Sequence, residues 1–251
     1  MTDLQQRIGT DRTIPILMYH QIDLPAPRGT SFRSLTVHPK SFKRQMYWMH
    51  RLGYRGLSMR DLMPYLDGER TGKVFGITFD DGYRNVFQHA LPVLTQLGFT
   101  STNYLVANQF DGGNVWDAHH NVPFSPMMSQ GEAREWIQAG QEVGSHTLDH
   151  VHLPDLSLEQ ARHQISYSRH MLADAVKQEV TAFCYPYGQL TSEHAELVIE
   201  AGYCSATTTQ RGLASAKDSP FLLPRVGVWR STNLLHFFQK CLTQYEDRRR
   251  G

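Results

Sequence analysis

Short apolar runs alternate with amphipathic stretches from near the start of the chain almost to its end, without an internal repeat or low-complexity linker. The apolar runs fall at 14–19, 73–79, 100–106, 141–145, 180–185, 203–208 and 223–228, and most are rich in β-branched or aromatic residues. Strands separated by helices run parallel, because each crossover returns the chain to the same end of the sheet. The pattern therefore predicts a single α/β domain, with enough strands to close a barrel. Among the helical stretches, 41–52 places Phe42, Met46 and Met49 on one face. The stretch 85–97 does the same with Val86, Ala90, Leu94 and Leu97 before Gly98, and Pro92 predicts a kink within it. Ser129 with Glu132, and Ser157 with Gln160, have the capping-box spacing that opens a helix. A helix over 192–201 ends at Gly202, and a closing helix over 232–245 carries Leu235, Phe238 and Leu242.

Composition removes several functional classes. The chain has 251 residues, with 25 Lys and Arg against 24 Asp and Glu, so its net charge of +1 creates no field suited to nucleic acid or an anionic membrane. Cys184, Cys204 and Cys241 are odd in number and widely spaced, which predicts buried free thiols rather than a disulfide framework or a thiolate metal site. The opening MTDLQQRIGTDRT is polar, no transmembrane segment is predicted, and the expected location is cytoplasmic. The arginines at 248–250 read as a solvated tail.

Four segments carry candidate chemistry. In the first, the apolar run KVFGITF leads directly into Asp80, Asp81 and Gly82. Catalytic groups in parallel α/β folds lie at the C-terminal ends of strands, and a glycine there allows a sharp turn that can bring two adjacent carboxylates to one centre. Taken alone, Asp-Asp-Gly is more often a turn with solvated aspartates. In the second, His146 and His150 follow another apolar run; imidazoles four residues apart converge on one cation if the segment is a helical turn, and one carboxylate then completes a facial ligand set. The third, Phe183 to Gly188, reads as a strand end and a rigid turn around Pro186; the fourth, Ile16 to His20, ends an apolar strand in a histidine. Trp116, Tyr187, Phe221 and Trp229 are candidate aromatic faces for stacking a ligand, although core burial is the commoner fate of such residues.

Together and in this order, these segments resemble the polysaccharide deacetylase superfamily, the NodB-homology domains of carbohydrate esterase family four. Thr78 to Gly82 match its TFDDG motif, His146, Thr147 and His150 its His-Ser/Thr-x-x-His motif, and Pro186, Tyr187 and Gly188 its Pro-Trp/Tyr-Gly motif. The resemblance implies a distorted (β/α) barrel with seven strands over residues 14–230, preceded by an extension at 1–13 and followed by a helix and basic tail at 231–251. It implies Asp81, His146 and His150 as ligands of one divalent metal ion, Zn²⁺ foremost with Co²⁺, Ni²⁺ or Mn²⁺ as alternatives, and Asp80 as general base. Two departures stand out: Cys184 replaces the usual arginine two residues before the motif proline, and the usual C-terminal Leu-x-His motif is missing. Leu17 to His20 resemble that motif moved to the N-terminus, as in the circularly permuted branch, which makes His20 the implied acid. Arg225 is a candidate replacement for the missing arginine, paired with Asp80; a surface arginine is the alternative.

The resemblance implies hydrolysis of the N-acetyl or other N-acyl amide of an amino sugar, in an oligosaccharide, a polysaccharide or a nucleotide- or lipid-linked precursor, with a backbone N–H near Tyr187 facing the oxyanion. Alternatives left open by the sequence are an N-deformylase or other amide hydrolase of the same superfamily, and a catalytically inactive carbohydrate-binding relative.

Overall fold

A computed structural model describes residues 12–250, so most of the expected extension at 1–13 lies outside the described residues. Seven parallel strands form a closed ring: β1 (Ile16–Tyr19), β2 (Val74–Phe79), β3 (Thr102–Leu105), β4 (Glu142–Ser145), β5 (Ala182–Cys184), β6 (Ser205–Arg211) and β7 (Leu223–Gly227). All the expected strand positions are occupied, and each strand pairs with its neighbour in sequence. β1 closes the ring, with Leu17 opposite Val226 of β7 on one side and Ile77 of β2 on the other. All six residues of β2 are buried, as expected where a strand has the barrel interior on one face and helices on the other.

A further parallel strand, Arg55–Leu57, distorts the ring by pairing with the first half of β2, while β3 pairs with the second half. The sequence pattern did not predict it, because three residues centred on a glycine carry no readable period. Gly56 is required by space: a Cβ there would lie 2.4 Å from Ile77 Cδ1.

The helices cover the ring. α1 (Pro39–Arg51) buries Phe42, Met46 and Met49 as its spacing predicts, with His38 accepting at the N-terminus and Pro39 in the first turn. α2 (Met59–Leu66), unforeseen because Pro64 interrupts the pattern, is capped by Ser58 and buries Met59, Leu62 and Leu66. The predicted kink falls at Ala90, a residue of helical backbone shared by α3 (Arg84–His89) and α4 (Leu91–Leu97), and Pro92 lies in the first turn of α4, where an N–H has no helical partner to lose. α5 (Gln130–Gln138) and α6 (Leu158–Val176) open with both predicted capping boxes complete, and α7 (Ser192–Glu200) follows. No helix among the described residues is long and apolar enough to cross a membrane.

Two expectations are corrected, the inward face of the closing helix and the burial of one thiol. α8 (Leu234–Leu242) buries Phe237, Lys240 and Cys241, whereas Leu235 is 80% exposed. Its crowded apolar sequence left the helical phase ambiguous, and the buried lysine hid the true inward face. Asp247–Arg249 forms a short 3₁₀ turn in which Arg248 and Arg249 are exposed, as a solvated tail requires, while Arg249 lies over the Tyr245 ring and Arg250 pairs with Asp218. Among the thiols, Cys184 and Cys241 are buried but Cys204 is exposed.

The C-terminal segment is anchored by Glu246, fully buried between Lys240 Nζ at 2.9 Å and Arg211 Nε at 2.7 Å. Lys240 Nζ also donates to the Gly227 carbonyl at 2.6 Å, tying α8 to β7. Burial raises the Glu246 carboxyl, but hydrogen bonds and charge from Arg211 and Lys240 outweigh it and hold the group below the ordinary glutamate value. A carboxyl lowered on folding stabilises the protein above its unfolded value, and that contribution is lost as pH falls through the folded value. Glu246→Ala should lower the unfolding free energy in urea by about 3–5 kcal/mol, because it strands the Lys240 ammonium in the interior. Glu246→Gln should flatten the acid limb of the stability curve; equal acid sensitivity in both proteins would contradict the assignment.

Candidate active site

The site lies at the C-terminal ends of the barrel strands. Asp80 continues β2, its N–H donating to the Tyr19 carbonyl at 2.9 Å. In a regular strand Asp81 would point to the opposite face. Instead Asp81 has φ 78° and Gly82 φ 90°, so the chain reverses and both carboxylates are buried at one centre. Gly82 also packs tightly, since a Cβ there would lie 2.8 Å from Leu105 Cδ2. The sequence identified Gly82 as the turning residue but gave no sign that Asp81 shares the left-handed backbone, at a cost of about 1–3 kcal/mol for such a residue.

Asp80 is held by Arg225, whose Nη1 donates to Oδ1 at 2.6 Å and Nη2 to Oδ2 at 2.8 Å. The same guanidinium donates to Thr78 Oγ1, the Thr208 carbonyl and Cys184 Sγ. These partners come from β2, β6 and β5, which places Arg225 of β7 across the interior of the ring rather than on the surface. Burial raises the Asp80 carboxyl, but Arg225 outweighs it and leaves the group below the ordinary aspartate value.

Asp81 Oδ1 lies 3.5 Å from His146 Nε2 and 3.3 Å from His150 Nε2. The imidazoles converge by a different route from the helical turn expected. His146 extends β4, its N–H donating to the Leu105 carbonyl, and a tight turn with Thr147 at φ 66° and His150 at φ 57° brings the second ring round. Thr147 Oγ1 braces this turn by accepting from the His150 N–H at 3.1 Å. His146 Nδ1 lies 2.8 Å from the Cys184 carbonyl, which can only accept, so Nδ1 carries a proton and Nε2 is the nitrogen turned toward Asp81. His150 Nδ1 pairs with the Tyr187 hydroxyl at 3.1 Å, and the Trp116 ring stacks on the His150 ring at 4.5 Å.

This donor set fits a divalent cation. Ligand atoms about 2.0–2.2 Å from a tetrahedral ion stand about 3.3–3.6 Å apart, and the two imidazole-to-carboxylate distances are 3.3 and 3.5 Å. All three donor atoms lie within 4.8 Å of one another. A second cluster, Asp80, His146 and Cys184, meets the same distance criterion, but Arg225 already occupies both oxygens of Asp80.

His20, at the end of β1, places Nε2 3.9 Å from Asp80 Oδ2. It lines one cleft of about 110 Å³ with Asp80, Asp81, His146, His150, Trp116 and Tyr187. The structure thus brings every predicted site residue together, Arg225 from beneath. Of the other aromatic candidates, Phe221 packs against the core, and neither it nor Trp229 lines the cleft. Sequence reasoning missed Phe32, Thr209 and Asp117, which also line it. Burial and the nearby Asp81 push the Asp117 carboxyl up to about 6. A carboxylate beside Trp116 in a short polar turn carries no spacing signal that could have singled it out.

The polysaccharide deacetylase family model matches residues 67–206. YxkH of Bacillus subtilis, named as a polysaccharide deacetylase, is 32% identical over 217 residues, covering 86% of this chain and 71% of that protein. The chain belongs to the polysaccharide deacetylase family. The poly-beta-1,6-N-acetyl-D-glucosamine N-deacetylase of Staphylococcus epidermidis is 23% identical over 204 residues, covering 77% of this chain and 68% of that one. Among solved structures, the Streptococcus pyogenes deacetylase PplD, in complex with acetate, superposes with TM-score 0.81 at 25% identity over 92% of this chain and 98% of its own. BC0361, a polysaccharide deacetylase from Bacillus cereus, gives TM-score 0.76 at 25% identity over 91% of this chain and 69% of its own. His20 precedes the segment matched to the deacetylase family model and Arg225 follows it, yet ring closure through β1 and β7 returns both to the same centre.

Arg225→Met should remove the partner of a buried carboxylate and lower the unfolding free energy by about 3–5 kcal/mol. Arg225→Lys, which keeps the charge but loses the fork, should recover only part of it. An unchanged denaturation midpoint in Arg225→Met would show that the pair does not hold the site.

Proposed function

We propose that the protein is a metal-dependent deacetylase that hydrolyses the N-acetyl amide of an amino sugar in a polysaccharide or its precursor. The observation that carries the reading is the convergence of Asp81, His146 and His150 beside the Arg225-held Asp80 and His20 in a single cleft. Family membership supports the reaction class, and the name of the S. epidermidis relative supports N-acetylglucosamine as the unit attacked.

In this reading Asp81, His146 and His150 hold one divalent cation, with Zn²⁺ preferred for a donor set of two imidazoles and one carboxylate. Such an ion supplies Lewis-acid polarisation of the acyl oxygen and acidifies water at the centre. Asp80 accepts the proton of the attacking water at its carboxylate. Arg225 keeps that carboxylate ionised and fixes its plane, so the acceptor is in place before substrate arrives. His20, which lines the same cleft as His150, delivers a proton to the departing amine, without which the amide nitrogen is a poor leaving group. Tyr187 orients His150 through its hydroxyl, and its backbone N–H is assigned to the oxyanion. Trp116 packs on His150 and presents an edge of the cleft to the sugar.

Metal analysis paired with acetate release from N-acetylglucosamine oligomers tests these roles. Asp81→Ala and His146→Ala should lose both bound metal and turnover. Asp80→Asn should keep the metal while kcat falls by about 10²–10⁴. Unchanged metal content in the first two variants would refute the ligand assignment.

A further inference from the structure

The net charge of +1 conceals a segregated surface. From residue 24 to residue 60 the chain carries eight Lys and Arg and no Asp or Glu. α1 lies within this run, and because Phe42, Met46 and Met49 turn its apolar face inward, its cations are forced outward. Lys40, Arg44 and Arg51 share an outward stripe with Tyr47, flanked by Lys43 and Trp48, and all six are exposed. None of the four cations forms an ion pair or a side-chain hydrogen bond among the described residues. The elements packed against α1 offer no acid either, since the strand Arg55–Leu57, α4 and α8 contain none. Like charges three and four residues apart on a helix repel, so this face gains from an anionic partner. Its apolar side chains are also uncovered: Tyr47 is 48% exposed, Trp48 43% and Leu52 42%, and Leu235 on the adjoining α8 is 80% exposed.

We infer that the outward face of α1 is a docking surface for an anionic phospholipid bilayer, to which the protein adsorbs by its flank. Aromatic rings beside Lys and Arg suit the headgroup layer, where the ring is desolvated, its N–H or O–H still meets water, and the cations meet lipid phosphate. The apolar face of α1 is taken up by the core, so contact stops at the depth of the headgroups. The cleft stays open to substrate in this pose, because α1 leads away from the strand ends and none of its residues lines the cleft. A second copy of the chain is a poor occupant, since a two-fold contact would set the same cations against one another. A soluble polyanion would satisfy the charges but leave Trp48 and Leu52 in water.

Co-sedimentation of the full chain with vesicles of phosphatidylcholine alone, and of phosphatidylcholine mixed in equal parts with phosphatidylglycerol, tests this surface independently of the deacetylase reading. The protein should bind the mixed vesicles only, and release them as salt is raised. The triple variant Lys43→Gln, Arg44→Gln, Arg51→Gln should partition about a hundredfold more weakly, at about fivefold per charge, with an unchanged unfolding midpoint. Arg44→Gln alone should cost about fivefold, which keeps the result readable if the triple variant unfolds. The Trp48 emission, taken as the difference between wild type and Trp48→Phe, should shift to the blue on mixed vesicles and be quenched by a brominated lipid. Equal binding to both vesicles, binding to neither, or undiminished binding by the charge variants would each overturn the surface. So would tight binding to duplex DNA with no shift of the Trp48 emission on vesicles, which would assign the face to a soluble polyanion instead.

Discussion

Two adjacent carboxylates buried at one strand end repel each other, and everything else at this site depends on how that repulsion is relieved. Unit charges about 5 Å apart repel by about 3 kcal/mol at an effective dielectric near 20, and each also loses its hydration. The protein divides the task. Asp80 receives both arms of the Arg225 guanidinium, while Asp81 is left facing two imidazole nitrogens. Burial opposes ionisation of both groups, yet the partners win in each case and both carboxyls are held below the ordinary aspartate range. The division gives chemically identical neighbours different work: one is locked in orientation by a fixed cation, and the other remains available to an exchangeable one.

The backbone around this pair is bent where it meets the site. Asp81, His150, Tyr187 and Phe32 all have positive φ and line the cleft, and Thr147, also at positive φ, braces the turn between the two histidines. Left-handed non-glycine residues are individually unfavourable, so their concentration here shows that strand ends and loops are held by something stronger than local preference. That support is the closed ring. Its strands position the first loop residues, and packing beneath the cleft, such as Leu105 against Gly82, leaves the turns little alternative.

Much of this was legible in the sequence because parallel strands write themselves as continuous apolar runs and because the chemistry falls directly after them. The runs ending at Tyr19, Phe79, Ser145 and Cys184 locate His20, Asp80, His146 and the Tyr187 turn without knowledge of tertiary structure. What could not be read is what depends on close approach across the ring. The strand Arg55–Leu57 is too short to have a period, and α8 hides its inward face behind a lysine whose charge is satisfied by a residue beyond the helix. The geometry of the histidine pair was misread for a similar reason: spacing of four suggests a helix, but β4 runs directly into His146 and a braced turn does the same work. Asp117 gave no signal because its place in the cleft is set by tertiary packing of a loop.

Cys184 and Arg225 are linked by volume and charge across the barrel. Cys184 Sγ lies 3.2 Å from Arg225 Nη2, so the space an arginine on β5 would need is already filled by a guanidinium arriving from β7. An arginine at 184 and one at 225 would exclude one another, by volume and by charge. A second guanidinium would bring two cations to one carboxylate, and an uncompensated ion in such an interior costs several kcal/mol. A small side chain at 184 and an arginine at 225 are therefore a coupled choice. The site holds one guanidinium at one point inside the ring, and in this chain β7 supplies it.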